Sequence, residues 1–436
     1  MPDDDRPARV PRGLFDRGRR TARLGRIVVG AGARRLLRKD AADDRAFGAA
    51  LAAELDGMKG MAMKVGQILS YLDVPIPDEA QRALARLQRG AQPLAFDAIA
   101  AVIEQELGAH VDALFTSFQR DPVAAASIGQ VHRAHFAGAP VAVKVRYPGV
   151  ADTFDADMGR LDALAGIASL ATAVDGKALV AELAARLREE CDYRAEARWQ
   201  AAFGRAFAGS PGICVPAVIP ERSGEAVLTT AWDDGVGLER FMADASPGAR
   251  NAAGLHLAHV AWQSVFVLRT LNADPHPGNY LFAPDGAVTF LDYGCVRRFE
   301  DWFVEAWRNL FRLLLDGVDA DSAAFREAVR ATRMVGTRRF DFGFHHTLLI
   351  WMVEPYLSPT FRFTREYTRR GHAFSAPTAP NGRAMTIPPA WIWLARTHVG
   401  LHSVLARLQA EGEFRNALRA AISVDPSPLP AEEVFS

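Results

Sequence analysis

Cysteine, long apolar runs and an excess of charge are all scarce or missing in this sequence. Its 436 residues include only three cysteines, Cys191, Cys214 and Cys295, which lie far apart and show neither the paired spacing of a zinc site nor a disulfide framework. No apolar run approaches the roughly 18 residues of a membrane span, and the first residues, MPDDDRPARVPRG, lack the apolar core of a signal peptide. A formal net charge of +0 argues against a general nucleic-acid-binding protein. These absences predict a cytoplasmic globular protein.

The most informative stretch is Leu271 to Gly294, LNADPHPGNYLFAPDGAVTFLDYG. It contains Asp274, then Asn279 after four intervening residues, then Asp292 at the start of an Asp-Tyr-Gly turn. This order and spacing are those of a kinase-type phosphoryl-transfer site, in which the first aspartate orients the attacking group or accepts its proton. Asn279 and Asp292 would hold Mg²⁺, a hard cation that takes oxygen ligands from one or two carboxylates and from phosphates.

The segment between the two metal-ligand candidates predicts a hairpin. Tyr280 to Phe282 and Val288 to Leu291 have the composition of short strands, and Pro284-Asp285-Gly286 has that of a tight turn. Such a hairpin would bring Asn279 and Asp292 to neighbouring ends. Each polar residue alone is more often an ordinary surface loop residue, but their combination with a hairpin of this length favours a functional site.

A lysine lies inside a β-branched strand, VAVKV. Burying the ammonium group of Lys144 is costly unless it is paired, and in a kinase-like site such a lysine reaches the phosphates and is held by a helix glutamate. The alternative is an edge-strand lysine that discourages aggregation. The sequence of the strand and the loop before it favour the nucleotide-binding role.

The loop before this strand is rich in alanine, whereas a phosphate-binding loop is usually rich in glycine. The sequence has no GxGxxG motif here and no GxxxxGK[ST] motif anywhere, which excludes a conventional P-loop enzyme. Because alanine carries a Cβ atom, this backbone is less free than glycine to take positive φ angles and close over phosphates. The loop residues that we assign to nucleotide binding are Ala124, Ala125, Ala126, Ser127, Ile128 and Gly129.

A long helix is predicted from Lys177 to about Phe207, with REECDYRAEARW in its middle. Glu196 in this helix is the candidate partner of Lys144. Glu190 and Asp192 are two residues apart, so a regular helix would point them to different faces. Both could serve one site only if the helix is irregular or one of them is a cap residue, and their spacing alone favours a charged helix surface.

Strands are predicted between Ile213 and Trp232, followed by a short polar segment that contains Asp233, Asp234 and Gly235. The remainder of the chain is largely helical. A strand that ends in a short polar linker before a helical half resembles an interlobe hinge, where adenine bonds to backbone groups. Trp232 is therefore also assigned to nucleotide binding.

Two N-terminal segments precede these motifs. Residues 6–39 are dense in arginine with apolar residues between, which is typical either of a basic amphipathic helix on an anionic membrane surface or of a solvated basic arm. Residues 44–72 predict a long helix rich in Ala, Leu and Met. Lys64 and Gln67 share one face of this helix, a spacing that alone indicates only its solvent side.

Together these motifs resemble the UbiB/AarF family of atypical protein-kinase-like proteins, which includes the mitochondrial coenzyme Q kinase-like proteins. The resemblance covers roughly residues 45–410, and the separate motifs occur in family order. It identifies the family's Lys-x-Gly-Gln motif with Lys64, Gly66 and Gln67, and its Glu-x-Asp motif with Glu190 and Asp192. The other motifs match in turn: the alanine-rich nucleotide loop, Lys144 with Glu196, the catalytic-loop residues Asp274 and Asn279, and the metal aspartate Asp292.

The resemblance implies an α+β, bilobal protein-kinase-like fold, with a small β-containing N-lobe and a helical C-lobe. The helix that carries Lys64 and Gln67 would belong to an N-terminal extension packed over the active site, where these residues would meet Glu190 or Asp192. The implied regions are a basic arm at 1–43, a helical extension at 44–118, the N-lobe at 119–235 and the C-lobe with a loose tail at 236–436.

An extension over the active site would exclude protein substrates. The resemblance therefore implies an Mg²⁺-dependent ATPase or phosphotransferase that binds ATP or ADP and acts on a small or lipid-like molecule, in support of isoprenoid quinone or lipid metabolism. Its ligand would be a lipid or a quinone precursor, and the basic arm would place the protein peripherally at the inner face of an anionic membrane.

Two other functions stay open. One is a nucleotide-gated scaffold that organises membrane-associated biosynthetic enzymes with little turnover. The other is a small-molecule kinase similar to the aminoglycoside phosphotransferases, which share the Asp-x-His-Pro-x-Asn style of loop. The Lys-x-Gly-Gln helix and the alanine-rich loop count against this last function.

Overall fold

The structure is a computed structural model that describes residues 93–125, 128–150, 188–336, 339–371, 374, 380–381 and 384–430. The predicted basic arm and the predicted helix over residues 44–72 lie outside these ranges. By its internal packing the chain divides into two compact units.

The smaller unit includes, among the described residues, 93–99, 124–125, 128–130, 146–150 and 188–191. Its most buried polar side chain is Gln130, which has no exposed surface. The backbone N–H of Leu94 donates to Gln130 Oε1 at 2.9 Å, and Gln130 Nε2 donates to the carbonyl of Leu94 at 3.3 Å. The guanidinium of Arg146 donates to the carbonyl of Cys191.

A five-stranded sheet follows two helices at the start of the described chain. Helix α1 ends where Gly108 takes a φ of 75°, a left-handed conformation that suits glycine at a helix end. The helices and strands of this part are α1 (Phe96–Leu107), α2 (Val111–Leu114), β1 (Ser117–Phe118), β2 (Ala124–Ala125), β3 (Gly129–Phe136), β4 (Ala139–Arg146) and β6 (Val227–Ala231). The main path of the sheet runs β1-β3-β4-β6.

Strand β4 separates its apolar residues from its lysine. Successive side chains of a strand point to opposite faces, and the burial along β4 alternates accordingly. The residues on its buried face are Val141, Val143 and Val145. Lys144 points to the opposite face and pairs in register with Leu228 of β6. The strand predicted around VAVKV is thus confirmed.

The long helix predicted through REECDYRAEARW is interrupted, so that prediction is wrong at this point. Residues 188–191 are helical, whereas Asp192 is not, with φ −97° and ψ 88°, and helix α3 runs from Tyr193–Ala206. The carboxylate of Asp192 accepts a hydrogen bond from the backbone N–H of Ala195 at 3.0 Å, which is an N-cap contact. The cap begins a new helix and places Glu196 in its first turn.

Five short strands surround the catalytic-loop sequence: β5 (Ile213–Cys214), β7 (Thr270–Asn272), β8 (Tyr280–Phe282), β9 (Val288–Phe290) and β10 (Val296–Arg298). Strands β8 and β9 form the predicted antiparallel hairpin, with Leu281 opposite Thr289. Gly286 in its turn takes a φ of 91°, which only glycine adopts readily. Strand β5 is shorter than predicted and pairs in parallel with β9.

The predicted helical remainder is confirmed. It comprises α4 (Leu238–Asp244), α5 (Pro247–Phe266), α6 (Asp301–Leu315), α7 (Ala323–Ala331), α8 (Phe342–Leu357), β11 (Phe361–Arg362), α9 (Arg365–Gly371), α10 (Pro389–Leu408), β12 (Glu411–Gly412) and α11 (Phe414–Ser423). Its core is aromatic, and Trp307 of α6 stacks on Trp391 of α10 with ring centroids 4.4 Å apart. Within the described ranges, no helix is both long enough and apolar enough to cross a membrane.

A buried polar network fixes helix α10 in this core. His402 Nδ1 lies 2.9 Å from the Tyr367 hydroxyl, and His402 Nε2 lies 3.0 Å from the Tyr356 hydroxyl. Because Tyr367 donates its proton to the carbonyl of Trp351 at 3.0 Å, it accepts from Nδ1–H, and Tyr356 donates to Nε2. Each bond in this chain has one donor and one acceptor, so the network holds α10 in a single rotation about its axis.

Candidate active site

An ion pair joins strand β4 to helix α3. Lys144 Nζ donates to both carboxylate oxygens of Glu196, at 2.7 Å and 2.8 Å. The side chain of Glu196 is 3% exposed and that of Lys144 is 17% exposed. The ammonium also lies 5.0 Å from the ring centroid of Tyr193, a cation–π distance. The pairing predicted from the VAVKV strand is therefore present, and its buried position keeps the lysine amine at a fixed point.

Charges around this pair shift both of its pKa values. Burial lowers the pKa of Lys144, but the carboxylates of Asp292 and Glu196 outweigh burial and hold that pKa well above its ordinary value. Burial raises the pKa of Glu196 to about 7, Lys144 opposes this rise, and the charge of Asp292 adds to it. A cation bound at Asp292 would remove that last contribution and lower the pKa of Glu196.

Asp292 takes a backbone conformation that is rare for a residue with a side chain. Its φ is 57°, a left-handed angle that costs about 1–3 kcal/mol unless its surroundings hold it. Asn272 Nδ2 donates to the carbonyl of Asp292 at 2.8 Å, and the backbone N–H of Gly294 donates to Asp292 Oδ1 at 3.1 Å. Asp292 Oδ2 lies 3.6 Å from Lys144 Nζ, and the side chain is 41% exposed. The strained aspartate therefore presents a carboxylate to solvent beside the buried ion pair.

The catalytic-base candidate, Asp274, has partners for both carboxylate oxygens. Arg396 Nη2 donates to Oδ1 at 2.7 Å, and both side chains are largely shielded, at 17% and 16% exposure. Asn279 Nδ2 donates to Oδ2 at 3.1 Å and to the backbone carbonyl of Asp274 at 3.0 Å. Because the amide nitrogen of Asn279 donates to Asp274, its amide oxygen is the atom that could bind a metal ion.

The hairpin brings the two metal-ligand candidates to one end. The backbone N–H of Leu291 donates to the carbonyl of Asn279 at 2.8 Å, so Asn279 lies beside the residue that precedes Asp292. An amide oxygen and a carboxylate are the hard oxygen ligands that Mg²⁺ takes from proteins when phosphates and water complete its shell. The donor set of this site therefore fits Mg²⁺ held against a nucleotide.

The segment after β6, residues 232–236, is called the hinge segment below. The backbone N–H of Trp232 donates to the carbonyl of Pro140 at 3.1 Å, and its indole N–H donates to Asp234 Oδ1 at 2.8 Å. The guanidinium of Arg133 lies 4.6 Å from the centre of the Trp232 ring. Trp232 therefore uses both of its N–H groups within the protein, and its predicted role in nucleotide binding falls to its carbonyl oxygen or its ring.

The alanine-rich loop is described in part. Ala124 and Ala125 are exposed and form β2, whereas Ala126 and Ser127 lie outside the described residues. Ile128 is 3% exposed, and Gly129 is the first residue of β3. The side chain of Ile128 therefore packs inside the protein, and any part that Ile128 takes in nucleotide binding is through its backbone.

Of the predicted Lys-x-Gly-Gln and Glu-x-Asp motifs, only the second lies within the described residues. Lys64, Gly66 and Gln67 lie outside the described residues, so their meeting with the Glu-x-Asp motif stays a prediction. Glu190 is half-buried in the short helical segment before the break. Asp192 is the N-cap of α3, a structural role that its spacing alone did not reveal.

The sequence-based interpretation missed three residues of the site. Tyr193 packs against the Lys144 ammonium, Asn272 bonds to the Asp292 carbonyl, and Arg396 pairs with Asp274. Asn272 had a local signal, because a polar residue two positions before Asp274 falls next to the catalytic loop. Arg396 had none, since it lies 122 residues further along the chain than Asp274.

Comparisons with known proteins agree on one group of relatives. The model of the ABC1 atypical kinase-like domain matches residues 86–329. The atypical kinase COQ8, mitochondrial, of Saccharomyces cerevisiae is 32% identical over 259 residues, which is 58% of this chain and 51% of that protein. The atypical kinase COQ8B, mitochondrial, of Rattus norvegicus is 33% identical over 264 residues, 60% of this chain and 50% of that protein. The matches thus span about half the length of these curated relatives.

A plant protein and a solved structure extend the comparison. The protein ACTIVITY OF BC1 COMPLEX KINASE 3, chloroplastic, of Arabidopsis thaliana is 34% identical over 244 residues, 53% of this chain and 34% of that protein. The solved complex of Rv3197 with erythromycin from Mycobacterium tuberculosis is 29% identical, with a TM-score of 0.65, and covers 85% of this chain and 93% of that one. These likenesses support a kinase-like α+β fold for the chain.

Proposed function

We propose that this chain, which belongs to the ABC1 atypical kinase-like family, is an Mg²⁺-dependent ATPase or phosphotransferase. Its membership of that family confirms the UbiB/AarF resemblance. It would bind ATP or ADP and transfer the phosphoryl group to a small or lipid-like acceptor or to water. The observation that carries this proposal is the cluster in which Lys144 lies 2.7 Å from Glu196 and 3.6 Å from Asp292. In a phosphoryl-transfer site this arrangement holds the lysine amine and the metal carboxylate on the same phosphates.

Each site residue has one task in this proposal. Glu196 fixes the Lys144 amine, and Lys144 would bind nucleotide phosphate oxygens. Asn279 and Asp292 would hold Mg²⁺, which neutralises developing charge on the phosphates when bound. Asp274 would orient the attacking hydroxyl or water through the carboxylate that Arg396 and Asn279 hold in place. Most of this catalysis is positioning and charge stabilisation, as expected for phosphoryl transfer.

The choice of acceptor rests on the relatives. Two of them carry the names of mitochondrial COQ8 and COQ8B atypical kinases, which supports a role in isoprenoid quinone or lipid metabolism. The structural relative was solved with erythromycin, a small molecule rather than a protein substrate. A small or lipid-like ligand, such as a quinone precursor, is therefore the acceptor class we propose, with the protein at or near an anionic membrane surface.

Replacing the metal aspartate tests the enzymatic assignment. Asp292→Asn keeps the shape of the side chain but removes the charge that holds Mg²⁺, so we expect Mg²⁺-dependent nucleotide turnover to fall by at least about 100-fold. Asp316→Asn, an exposed aspartate at the end of α6, is the control and should keep wild-type turnover. Unchanged turnover in Asp292→Asn would refute the assignment.

A nucleotide-gated scaffold is the second candidate, and one observation favours it. Both oxygens of the Asp274 carboxylate are already bonded, to Arg396 and to Asn279, an arrangement that suits binding with little turnover. In Asp274→Asn, a scaffold would keep both its nucleotide-dependent melting shift and the copurification of its partner enzymes. An enzyme would keep the melting shift and lose its biological effect.

A further inference from the structure

The hinge segment is bonded to the hairpin that carries the metal-ligand candidates. Asp233 Oδ2 accepts a hydrogen bond from Thr289 Oγ1 at 2.7 Å, and Asp233 Oδ1 accepts one from the backbone N–H of Gly235 at 2.8 Å. Val236 and Phe282 exchange two backbone hydrogen bonds, at 3.0 Å and 2.9 Å. Three of these four bonds run between the hinge segment and the β8–β9 hairpin.

The hinge segment also lies too close to the hairpin for a side chain at its centre. A Cβ atom at Gly235 would fall 2.7 Å from Asp233 Oδ1, 3.0 Å from Leu281 Cβ and 3.2 Å from the backbone nitrogen of Phe282. These contacts are tighter than side chains ordinarily make, so the approach depends on glycine. The hinge segment and the hairpin are therefore in close backbone contact as well as hydrogen-bonded.

The same hairpin ends at the metal-ligand candidates. Thr289 is 6% exposed and lies three residues before Asp292, which is about 10 Å along an extended chain at about 3.3 Å per residue. At that end, the bond from Leu291 N–H to the Asn279 carbonyl at 2.8 Å closes the hairpin. A continuous set of bonds thus connects the hinge segment through Thr289 and its strand to Asn279 and Asp292.

We propose that Asp233 and Thr289 are positioning residues that couple nucleotide binding at the hinge segment to Mg²⁺ binding at Asn279 and Asp292. The inference rests on the proposed function and adds to it a mechanism of coupling between two subsites. The bond between a carboxylate and a hydroxyl is charge-assisted and stronger than a neutral one, and Thr289 holds it in a buried position. By linkage, the factor by which bound nucleotide changes the affinity for Mg²⁺ equals the factor by which bound Mg²⁺ changes the affinity for nucleotide.

The test measures this coupling as a ratio. The dissociation constant of ATP is measured by titration on the full chain without Mg²⁺ and with saturating Mg²⁺, and the coupling factor is the first value divided by the second. Thr289→Val keeps the shape of the side chain and removes the hydroxyl that donates to Asp233. We expect this variant to lower the coupling factor at least about fivefold, which is the lower range of measured couplings between sites, while the Mg²⁺-free dissociation constant changes by less than about twofold.

Two further variants separate positioning from a general loss of structure. Thr289→Ser retains the hydroxyl and should keep the wild-type coupling factor. Thr332→Val removes a buried threonine hydroxyl that donates to the Val329 carbonyl at 2.6 Å at the end of α7, away from the site, and should also keep it. Asp233→Ala, which removes both carboxylate oxygens, should lower the factor as Thr289→Val does.

Each outcome decides the inference. A coupling factor in Thr289→Val equal to that of Thr332→Val would overturn it, as would an equal loss of affinity with and without Mg²⁺. If Thr289→Val is too unstable to titrate, a wild-type factor in Asp233→Ala overturns the inference and a lowered factor supports it. Wild-type protein that binds no nucleotide in either condition would instead contradict the proposed function itself, a result distinct from intact binding with unchanged coupling.

Discussion

At the scale of single residues, the site is organised around one buried charge pair and one strained aspartate. Lys144 and Glu196 make two hydrogen bonds at 2.7 Å and 2.8 Å with almost no exposure of the carboxylate. Such a pair stabilises little by itself, because desolvation offsets much of the attraction, but it fixes the position of both charges. The strain at Asp292, with φ of 57°, is held by the bond from Asn272. Position rather than stability is what these residues supply.

The raised pKa of Glu196 gives the free protein a particular dependence on pH. Since burial raises that pKa from 4.5 to about 7 in the folded chain, the folded state binds a proton at this carboxyl more tightly than the unfolded chain does. The associated stability is fully present below about pH 4.5 and is lost as the pH rises through about 7. We therefore expect the free energy of unfolding of the wild type, relative to Glu196→Gln, to fall by about 1–3 kcal/mol between pH 4.5 and pH 8.

Urea unfolding at several pH values checks this expectation. Adding Mg²⁺ with nucleotide should flatten the difference, because neutralising Asp292 lowers the pKa of Glu196. A wild type and a Glu196→Gln variant with parallel pH profiles would contradict the assigned shift. Glu366→Gln, an exposed glutamate of α9, is a control whose profile should follow the wild type.

Whether a site residue could be predicted from the sequence depends on whether it belongs to a local pattern. The roles suggested for Lys144, Glu196, Asp274, Asn279 and Asp292 came from local spacing and family resemblance. In the structure Lys144 lies beside Glu196 and Asp292, and Asn279 bonds to Asp274. Residues without a local pattern could not be found in this way. The Arg396 contact with Asp274 exists only because α10 returns to the catalytic loop, and a contact between distant segments leaves no periodicity in either one.

At the scale of secondary-structure elements, α10 positions the catalytic loop. It supplies the Arg396 contact to Asp274, and its Gly400 lies directly against Pro275, the next residue of the loop. A Cβ atom at Gly400 would fall 2.3 Å from Pro275 Cγ, which is closer than any real contact. The polar network around His402 fixes the rotation of the same helix. The loop geometry therefore depends on a helix that begins more than 100 residues later in the chain.

Gly400→Ala tests this dependence of the loop on α10. In an exposed helix the substitution would stabilise by about 1 kcal/mol, because alanine is the better helix former. Here the added methyl group must displace Pro275, so we expect turnover to fall at least about tenfold while the Mg²⁺-free nucleotide dissociation constant changes by less than about twofold. The measurement is steady-state turnover beside a nucleotide titration.

Gly204→Ala in α3 is the matched control for this substitution. Its Cβ atom would meet only Val215, at 3.8 Å, so the helix should be stabilised with turnover intact. Equal turnover in the two alanine variants would show that α10 does not position the loop.

Elements that carry a regular pattern were predictable, and elements that depend on a side-chain bond were not. The β8–β9 hairpin follows from alternating strand residues and a Pro-Asp-Gly turn. The break before α3 depends on the side chain of Asp192 bonding to the Ala195 N–H at 3.0 Å. An aspartate inside a helix-forming stretch is as consistent with a charged surface position as with a cap, and only tertiary packing selects between the two.

At the scale of the whole molecule, the family match and the charge distribution indicate which parts of the chain carry the proposed functions. The formal net charge is +0, yet the N-terminal segment of residues 6–39 is rich in arginine, so acidic residues elsewhere balance it. The match to the ABC1 domain covers residues 86–329, which include the Lys144, Glu196, Asp274, Asn279 and Asp292 cluster. The activity proposed for the chain therefore depends on this region, whereas the membrane contact proposed for it depends on the basic segment before it.

Removing the Lys144 ammonium group should abolish the stabilisation of the whole chain by nucleotide. Lys144→Ala leaves the buried Glu196 without its ammonium partner and takes away the amine for the phosphates, so it should lose the stabilisation that nucleotide provides by mass action. Arg407→Ala breaks an ion pair with Glu239, both partly or largely exposed, and is the control for loss of a cation away from the site.

The most direct test of the central claim is the thermal-melting shift of the full chain with ATP, with ADP and without nucleotide, each with and without Mg²⁺. For wild type and Arg407→Ala we predict a Mg²⁺-dependent rise of several degrees, corresponding to about 2–3 kcal/mol at a nucleotide concentration about 100-fold above the dissociation constant. For Lys144→Ala we predict no such rise. A wild type whose melting temperature does not respond to nucleotide, or a Lys144→Ala variant that responds as the wild type does, would contradict the assignment of this site.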